Sequence, residues 1–210
     1  MARSFVLLLA VVFLAQLAIR IWVLLWPWPT PPLFAPLLAS SARRRYRDPV
    51  ATLAQLGIEP GIRVLEIGPG TGLFSSEAAR RAAPGGLVVA VDVQPWMLHQ
   101  LRRQHGATLP ASLHLVGGDA QQLPLADASC DAALLIAVLP MIPARNCALR
   151  ELRRVLCPGG TVLVSEDLMA PEYVPPAITR RWLAQAGFTI RHQATGFWCY
   201  SVVAQREEAA

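Results

Sequence analysis

Three acidic residues and a run of glycines stand at spacings that suit binding of a small polar ligand. The stretch "VLEIGPGTG" (residues 64–72) is an apolar run that reaches Glu66 and then sets Gly68, Gly70 and Gly72 two apart, with Pro69 between the first two. A glycine-rich turn between a strand and a helix lets main chain approach a ligand at the carboxyl edge of a sheet. The dinucleotide fingerprint G-x-G-x-x-G/A would need glycine or alanine at position 73, where Leu73 stands. A pyrophosphate beside Glu66 would also meet like charge. The pattern present is E-x-G-x-G-x-G, and its acid suits a cationic amino group instead. Asp92 comes 20 residues after Gly72, where a carboxylate accepts both hydroxyls of a ribose. Asp119, in "GGDA", is placed to accept from an adenine amino group.

These residues need a scaffold that brings three segment ends to one edge. "RVLEI" (63–67), "LVVAVD" (87–92), "LHLVGGDA" (113–120), "CDAALLIAVL" (130–139) and "TVLVSED" (161–167) read as apolar, β-branched strands. Between them lie helical patterns: "GLFSSEAARRAA", stopped by "PGG"; "PWMLHQLRRQ", with Pro95 at its first position; and "RNCALRELRRVL", closed by "CPGG". A helix near residues 49–56 precedes the first strand, and "PAITRRWLAQAGF" holds another. "TIRHQATGFWCYSVVAQ" reads as two strands joined at Thr195–Gly196, an antiparallel hairpin. Apolar strands alternating with helices predict an α/β fold, a parallel sheet covered on both faces. Glu66, Asp92 and Asp119 then fall at successive strand ends.

An ammonium, a ribose and an adenine without phosphate are the parts of S-adenosylmethionine. The segments "VLEIGPGTG", "VVAVDVQPWML", "GGDAQQLPLADASCDAALL" and "LRRVLCPGGTVLVSED" resemble the class I S-adenosylmethionine-dependent methyltransferases, in the branch of the ubiquinone and menaquinone biosynthesis enzymes. The resemblance covers residues 50–207. It implies a Rossmann-like, seven-stranded, mostly parallel sheet with an antiparallel last strand. It also implies that Glu66, Gly68, Pro69, Gly70 and Gly72 hold the methionine part of S-adenosylmethionine and that Asp92 takes the ribose hydroxyls. Val93, Asp119 and Ala120 would line the adenine, and Ile136 would face the sulfonium. The sequence departs from the branch in "AVLPMIP" (137–143), which sets two prolines in a loop that is more polar in the quinone enzymes.

Methyl transfer is an in-line displacement, in which a protein mainly positions donor and acceptor and excludes water. A base is needed only where the acceptor must lose a proton. Glu166 and Asp167 at the end of the fifth strand and Tyr200 in the last are the candidates, with His192 in the strand between. Nothing in the sequence assigns one of them a partner.

The first thirty residues belong to a different class of structure. Residues 4–28 carry no acid and one base, Arg20. As a helix they would be about 37 Å long, enough to cross a hydrocarbon core of about 30 Å. Trp22, Trp26 and Trp28 gather at one end, as in an interfacial belt, and Arg20 is expected to snorkel toward headgroups. Arg3 alone precedes the segment while Arg43, Arg44, Arg45 and Arg47 follow it, which orients the rest of the chain to the cytoplasm. Competing readings are a cleaved signal peptide and a buried core helix. The expected organisation is a single-pass transmembrane anchor over residues 1–28, a proline-rich linker and basic segment over 29–48, and the methyltransferase domain over 49–210.

The formal charge is +5, and all 19 basic residues are arginine, densest in "RRRYR" (43–47). Beside an apolar helix this points to an anionic membrane surface; no aromatic-interleaved basic stripe elsewhere points to nucleic acid. Four scattered cysteines offer neither a zinc site nor a disulfide framework, and no metal is expected. The expected activity is transfer of a methyl group to a hydrophobic acceptor in the bilayer, a quinol or a phospholipid-like amine. A small soluble acceptor such as a thiol, or a non-catalytic membrane-tethered S-adenosylmethionine-binding protein, are the alternatives.

Overall fold

The computed structural model describes residues 2–25 and 46–207. Seven strands form one sheet: β1 (Arg63–Ile67), β2 (Leu87–Asp92), β3 (Leu113–Gly117), β4 (Cys130–Ile136), β5 (Leu156–Asp167), β6 (Phe188–Thr195) and β7 (Cys199–Arg206). Their spatial order is β3-β2-β1-β4-β5-β7-β6. Strands β1 to β5 run parallel, and β7 is antiparallel to both of its neighbours. The expected hairpin is therefore present, but its antiparallel strand lies inside the sheet and β6 forms the edge. Strand order reverses between β1 and β4, which opens a crevice outside their carboxyl ends.

The helices are α1 (Ala2–Leu25), α2 (Pro49–Ala54), α3 (Leu73–Ala82), α4 (Pro95–His105), α5 (Arg145–Val155) and α6 (Pro176–Gln185). Alternate residues of the central strands feed two cores, one on each face. Leu65, Ile67, Val162 and Val164 pack with Leu149 and Leu152 of α5 on one side. Val64, Val88, Leu134 and Leu163 pack with Phe74 and Ala78 of α3 on the other. Burial on both faces is why these strands read as continuous apolar runs rather than alternating ones. Helix α5 buries Ala148, Leu149, Leu152 and Val155, a stripe at helical spacing, and leaves Arg150 and Arg153 exposed.

Two boundaries differ from the sequence reading. Strand β5 starts at Leu156 instead of Thr161, because "CPGG" bends into the sheet where the β4–β5 register shifts opposite Cys130 and Ala132. A Cβ at Gly160 would lie 2.8 Å from the Cys157 carbonyl, so the bare glycine serves a bulge in the strand and not a helix stop. Strand β3 ends at Gly117, which leaves Asp119 in the turn beyond it.

The linker's Pro27–Pro36 segment and Arg43, Arg44 and Arg45 lie outside the described residues, as do Trp26 and Trp28. Helix α1 has 24 residues and is about 36 Å long. Counted over the described residues alone, no helix is long and apolar enough to cross a membrane. Arg20 departs from the expected path to the headgroups. Its Nη2 donates to the Leu168 carbonyl at 2.6 Å, and its guanidinium sits 5.8 Å from the Tyr173 ring centroid. Arg47 also differs from a solvated basic cluster: it is buried, and its Nη2 lies 2.6 Å from Asp167 Oδ1.

Candidate cofactor site

The glycine loop leaves β1 at the crevice and turns directly into α3. Gly68, Gly70 and Gly72 all take positive φ, at 69°, 56° and 77°. Two of the three are fixed by different demands. At Gly68 a Cβ would stand 2.6 Å from Val138 Cγ2, so bare backbone lets this loop close on the turn after β4. At Gly70 the space a Cβ would occupy is open to 4 Å, which leaves a face of bare backbone over the loop. The loop is held from below: Gly68 N donates to the Val91 carbonyl at 2.8 Å, and Gly72 N to the Pro69 carbonyl at 2.9 Å. From the side, His105 Nε2 of α4 donates to the Thr71 carbonyl at 3.1 Å.

Glu66 points into the protein beneath that loop and is almost fully buried. The Ser75 hydroxyl, in the first turn of α3, donates to Glu66 Oε2. Burial pushes the Glu66 carboxyl up to about 7; the Ser75 hydrogen bond opposes this and the Asp92 charge adds to it. Asp92 ends β2 and is itself buried, with its pKa raised by burial and the Gln94 amide opposing. That amide donates to Asp92 Oδ1 at 2.8 Å. Two carboxylates on neighbouring strands, both pushed toward neutrality by burial, gain from an incoming positive charge or hydroxyl pair.

The other expected ligand contacts lie around this centre. Val93 follows Asp92 and is exposed, with its apolar side chain available to a flat ring. Asp119 is exposed, and its carboxylate already accepts from the Gln121 backbone N at 2.8 Å and from the Gln121 side-chain amide. Ala120 packs into the core behind it, and Pro69 is buried within the loop. Ile136 closes β4 and is buried. Beyond it Ala137 adopts a left-handed φ of 56° and donates its N–H to the Ser165 carbonyl at 2.7 Å. A non-glycine residue in that region costs about 1–3 kcal/mol, and such residues cluster at functional sites. "LPM" (Leu139–Met141) then forms a 3-10 turn, so the two prolines of "AVLPMIP" shape a wall.

At the end of β5, Glu166 is fully buried, and neither carboxylate oxygen has a hydrogen-bond partner among the described residues. Burial holds its pKa well above the ordinary carboxylate range, with the Arg47 charge the largest opposing effect. Tyr200 lies opposite it on β7. The Tyr200 hydroxyl donates to the Val174 carbonyl at 2.8 Å, lies 2.7 Å from Thr179 Oγ1, and is pushed up by burial. Asp167 faces Arg47, and His192 is exposed on β6. Ser75, Val138 and Ala137 frame the candidate site with no role assigned to them from sequence, and Arg47 figures there only as part of a basic cluster. Ser75 alone had a signal, a hydroxyl in the first turn after the glycine loop. A separate depression lined by Arg150, Arg153, Arg154 and Arg206 contains none of these residues.

Sheet order, glycine loop and buried acids define a doubly wound α/β domain with a candidate ligand crevice at its switch point. Residues 65–164 match the family model described as a methyltransferase domain. The chain is 36% identical over 118 residues to the ubiquinone/menaquinone biosynthesis C-methyltransferase of Cupriavidus taiwanensis, covering 55% of this chain and 47% of that protein. It is 36% identical over 138 residues to the fatty-acid O-methyltransferase of Mycolicibacterium smegmatis, covering 65% of this chain and 48% of that protein. The chain thus spans about half the length of the curated relatives it matches. A crystal structure of a SAM-dependent methyltransferase from Aquifex aeolicus superposes with a TM-score of 0.79 at 21% identity, over 84% of this chain and 99% of that one. Residues 65–164 form a methyltransferase domain of the class I S-adenosylmethionine-dependent kind, and S-adenosylmethionine is the cofactor this implies. The residues fit that cofactor: an acid under the glycine loop for an ammonium, a carboxylate at the β2 end for a diol, open backbone at Gly70 and an exposed Val93.

Proposed function

We propose that the chain methylates a hydrophobic acceptor at a membrane, with α1 as a single-pass anchor and the domain on the cytoplasmic side. The observation that carries the transferase reading is the placement of buried Glu66 and Asp92 at the ends of neighbouring strands under a loop of left-handed glycines. S-adenosylmethionine, when bound, supplies an activated methyl on a sulfonium. The chain's own residues bind and orient. Ionised Glu66 accepts from the donor's ammonium, Asp92 from its ribose hydroxyls, and Val93 and Asp119 bound the adenine. Ile136 and the Ala137–Met141 wall exclude water from the transfer path, as a dry site for a sulfonium requires.

On the acceptor side, Glu166 is the candidate for holding or taking a proton. Burial raises the Glu166 pKa, and no hydrogen-bond partner stands beside it among the described residues; when protonated the carboxyl donates a hydrogen bond to an acceptor oxygen, and when ionised it takes the acceptor's proton as the methyl arrives. Support for an apolar acceptor comes from two directions. Helix α1 exposes Leu14, Leu17 and Ile21, as a helix in lipid does. Relatives are named for ubiquinone/menaquinone and for fatty acid, both apolar molecules.

The test is to incubate the full-length protein in membranes with methyl-labelled S-adenosylmethionine and extract with organic solvent. Label in the organic phase that Asp92→Ala abolishes is the expected result. Label confined to water-soluble products would make the anchor an address only, and no transfer with the donor still bound would leave a binding protein.

A further inference from the structure

Two segments of the domain touch α1, and both leave the carboxyl edge of the sheet. The 3-10 turn after β4 packs against the helix. The segment after β5 receives Arg20 at the Leu168 carbonyl. Gln16 and Arg20, four apart on one helical face, are half-buried, while Leu14, Leu17 and Ile21 are exposed. Among the described side chains of this helix, the half-buried ones are polar, and the apolar Leu14, Leu17 and Ile21 face away from the domain.

The β6–β7 turn comes up at this same edge. Antiparallel pairing sets Cys199 opposite Asp167, so residues 196–198 lie beside the carboxyl end of β5. Leu168 N donates to the Trp198 carbonyl at 2.8 Å, which ties the turn to the segment that Arg20 grips. Here Phe197 is 77% exposed, Met169 57% and Trp198 44%. Phe197 stacks edge-on to Trp198, at 4.7 Å between ring centroids, and Met169 and Trp198 line one shallow apolar depression with Tyr46. Large apolar side chains gathered at one end of a domain mark an interaction surface.

Arg20 lies five residues from the end of α1, about 7.5 Å along its axis. If α1 spans the bilayer, the groups that Arg20 reaches lie at the lipid boundary, and Met169 and Trp198 lie with them. The geometry points to a membrane-seating surface, Met169, Phe197 and Trp198, that dips the active-site edge of the domain into the bilayer interface. Aromatic rings at headgroup depth suit that occupant, and its contact is continuous with the apolar face of α1. The acceptor then passes from lipid to the Glu166 side of the crevice without crossing water. This inference rests on the anchored reading proposed above.

The experiment places a benzoylphenylalanine photo-crosslinker, in separate full-length proteins, at Leu14, Phe197 and Glu59. Glu59 is exposed just before β1, at the opposite edge of the sheet. Each protein is reconstituted in vesicles of phosphatidylcholine and phosphatidylglycerol carrying a trace of tritiated lipid, then irradiated. Lipid label at Leu14 and Phe197 and none at Glu59 is the expected result. Label at Leu14 alone keeps the anchor and overturns the seating surface. No label at Leu14 overturns the anchor and, with it, this surface. Equal label at Phe197 and Glu59, or a Phe197 crosslink to a second protein chain, overturns the seating surface whatever Leu14 shows.

Discussion

The Ser75 hydroxyl donates to Glu66 Oε2, nine residues back along the chain and beneath the glycine loop. Burial keeps this carboxyl protonated to about pH 7 in the fold, against an ordinary value of 4.5. Between those two values the folded chain holds a proton that the unfolded chain has lost, so stability falls as pH rises from about 4.5 to 7. Glu66→Gln removes that slope and raises stability at pH 8 by on the order of 3 kcal/mol, read from denaturant midpoints across pH. A donor ammonium favours the ionised carboxyl, so the affinity for S-adenosylmethionine rises with pH through 7 in the wild type. In Glu66→Gln it is weaker and flat with pH.

Asp92 and Asp119 separate by what their carboxylates already hold. Asp92 is buried and accepts from one backbone amide, while Asp119 is exposed and is engaged by Gln121 through both backbone and side chain. Asp92→Ala weakens the donor by roughly 1.5–3 kcal/mol, the worth of charge-assisted hydrogen bonds in a dry site. Asp119→Ala costs about 1 kcal/mol or less, as a surface contact does. Titration calorimetry on both variants gives the order.

Gly68 and Gly70 answer differently to the same substitution. Both pay the left-handed penalty, about 1 kcal/mol against glycine. Gly68→Ala also drives a methyl into Val138 and lowers the melting temperature further. Gly70→Ala meets no protein atom, and its effect falls on donor affinity instead. Thermal unfolding beside donor titration distinguishes the two.

Arg47 and Asp167 form an ion pair closed to solvent. Removing one member of such a pair leaves the other's charge uncompensated, so Arg47→Met destabilises by about 3 kcal/mol or more. Chemical unfolding checks it, and an unchanged midpoint would show that Asp167 is neutralised by another group.

Local sequence carried most of the scaffold. "RVLEI" and "LVVAVD" match β1 and β2 to the residue, because apolar runs between glycine and proline stops leave one register. The three acids and the glycine spacing were legible as a candidate site for the same reason: they are local to strand ends. What stayed hidden is tertiary. Arg47 reads as a solvated cation, and only packing shows it buried on Asp167. Arg20 reads as a snorkelling residue, and only a contact 148 residues away in sequence shows it on Leu168. "CPGG" reads as a helix stop, and sheet pairing turns it into the start of β5.

Cofactor binding is tested most directly by calorimetric titration of the full-length protein in detergent with S-adenosylmethionine at pH 6 and pH 8. One saturable site is expected, tighter at pH 8 and weakened about tenfold or more by Asp92→Ala. No binding at either pH, or equal binding by the wild type and Asp92→Ala, would contradict it.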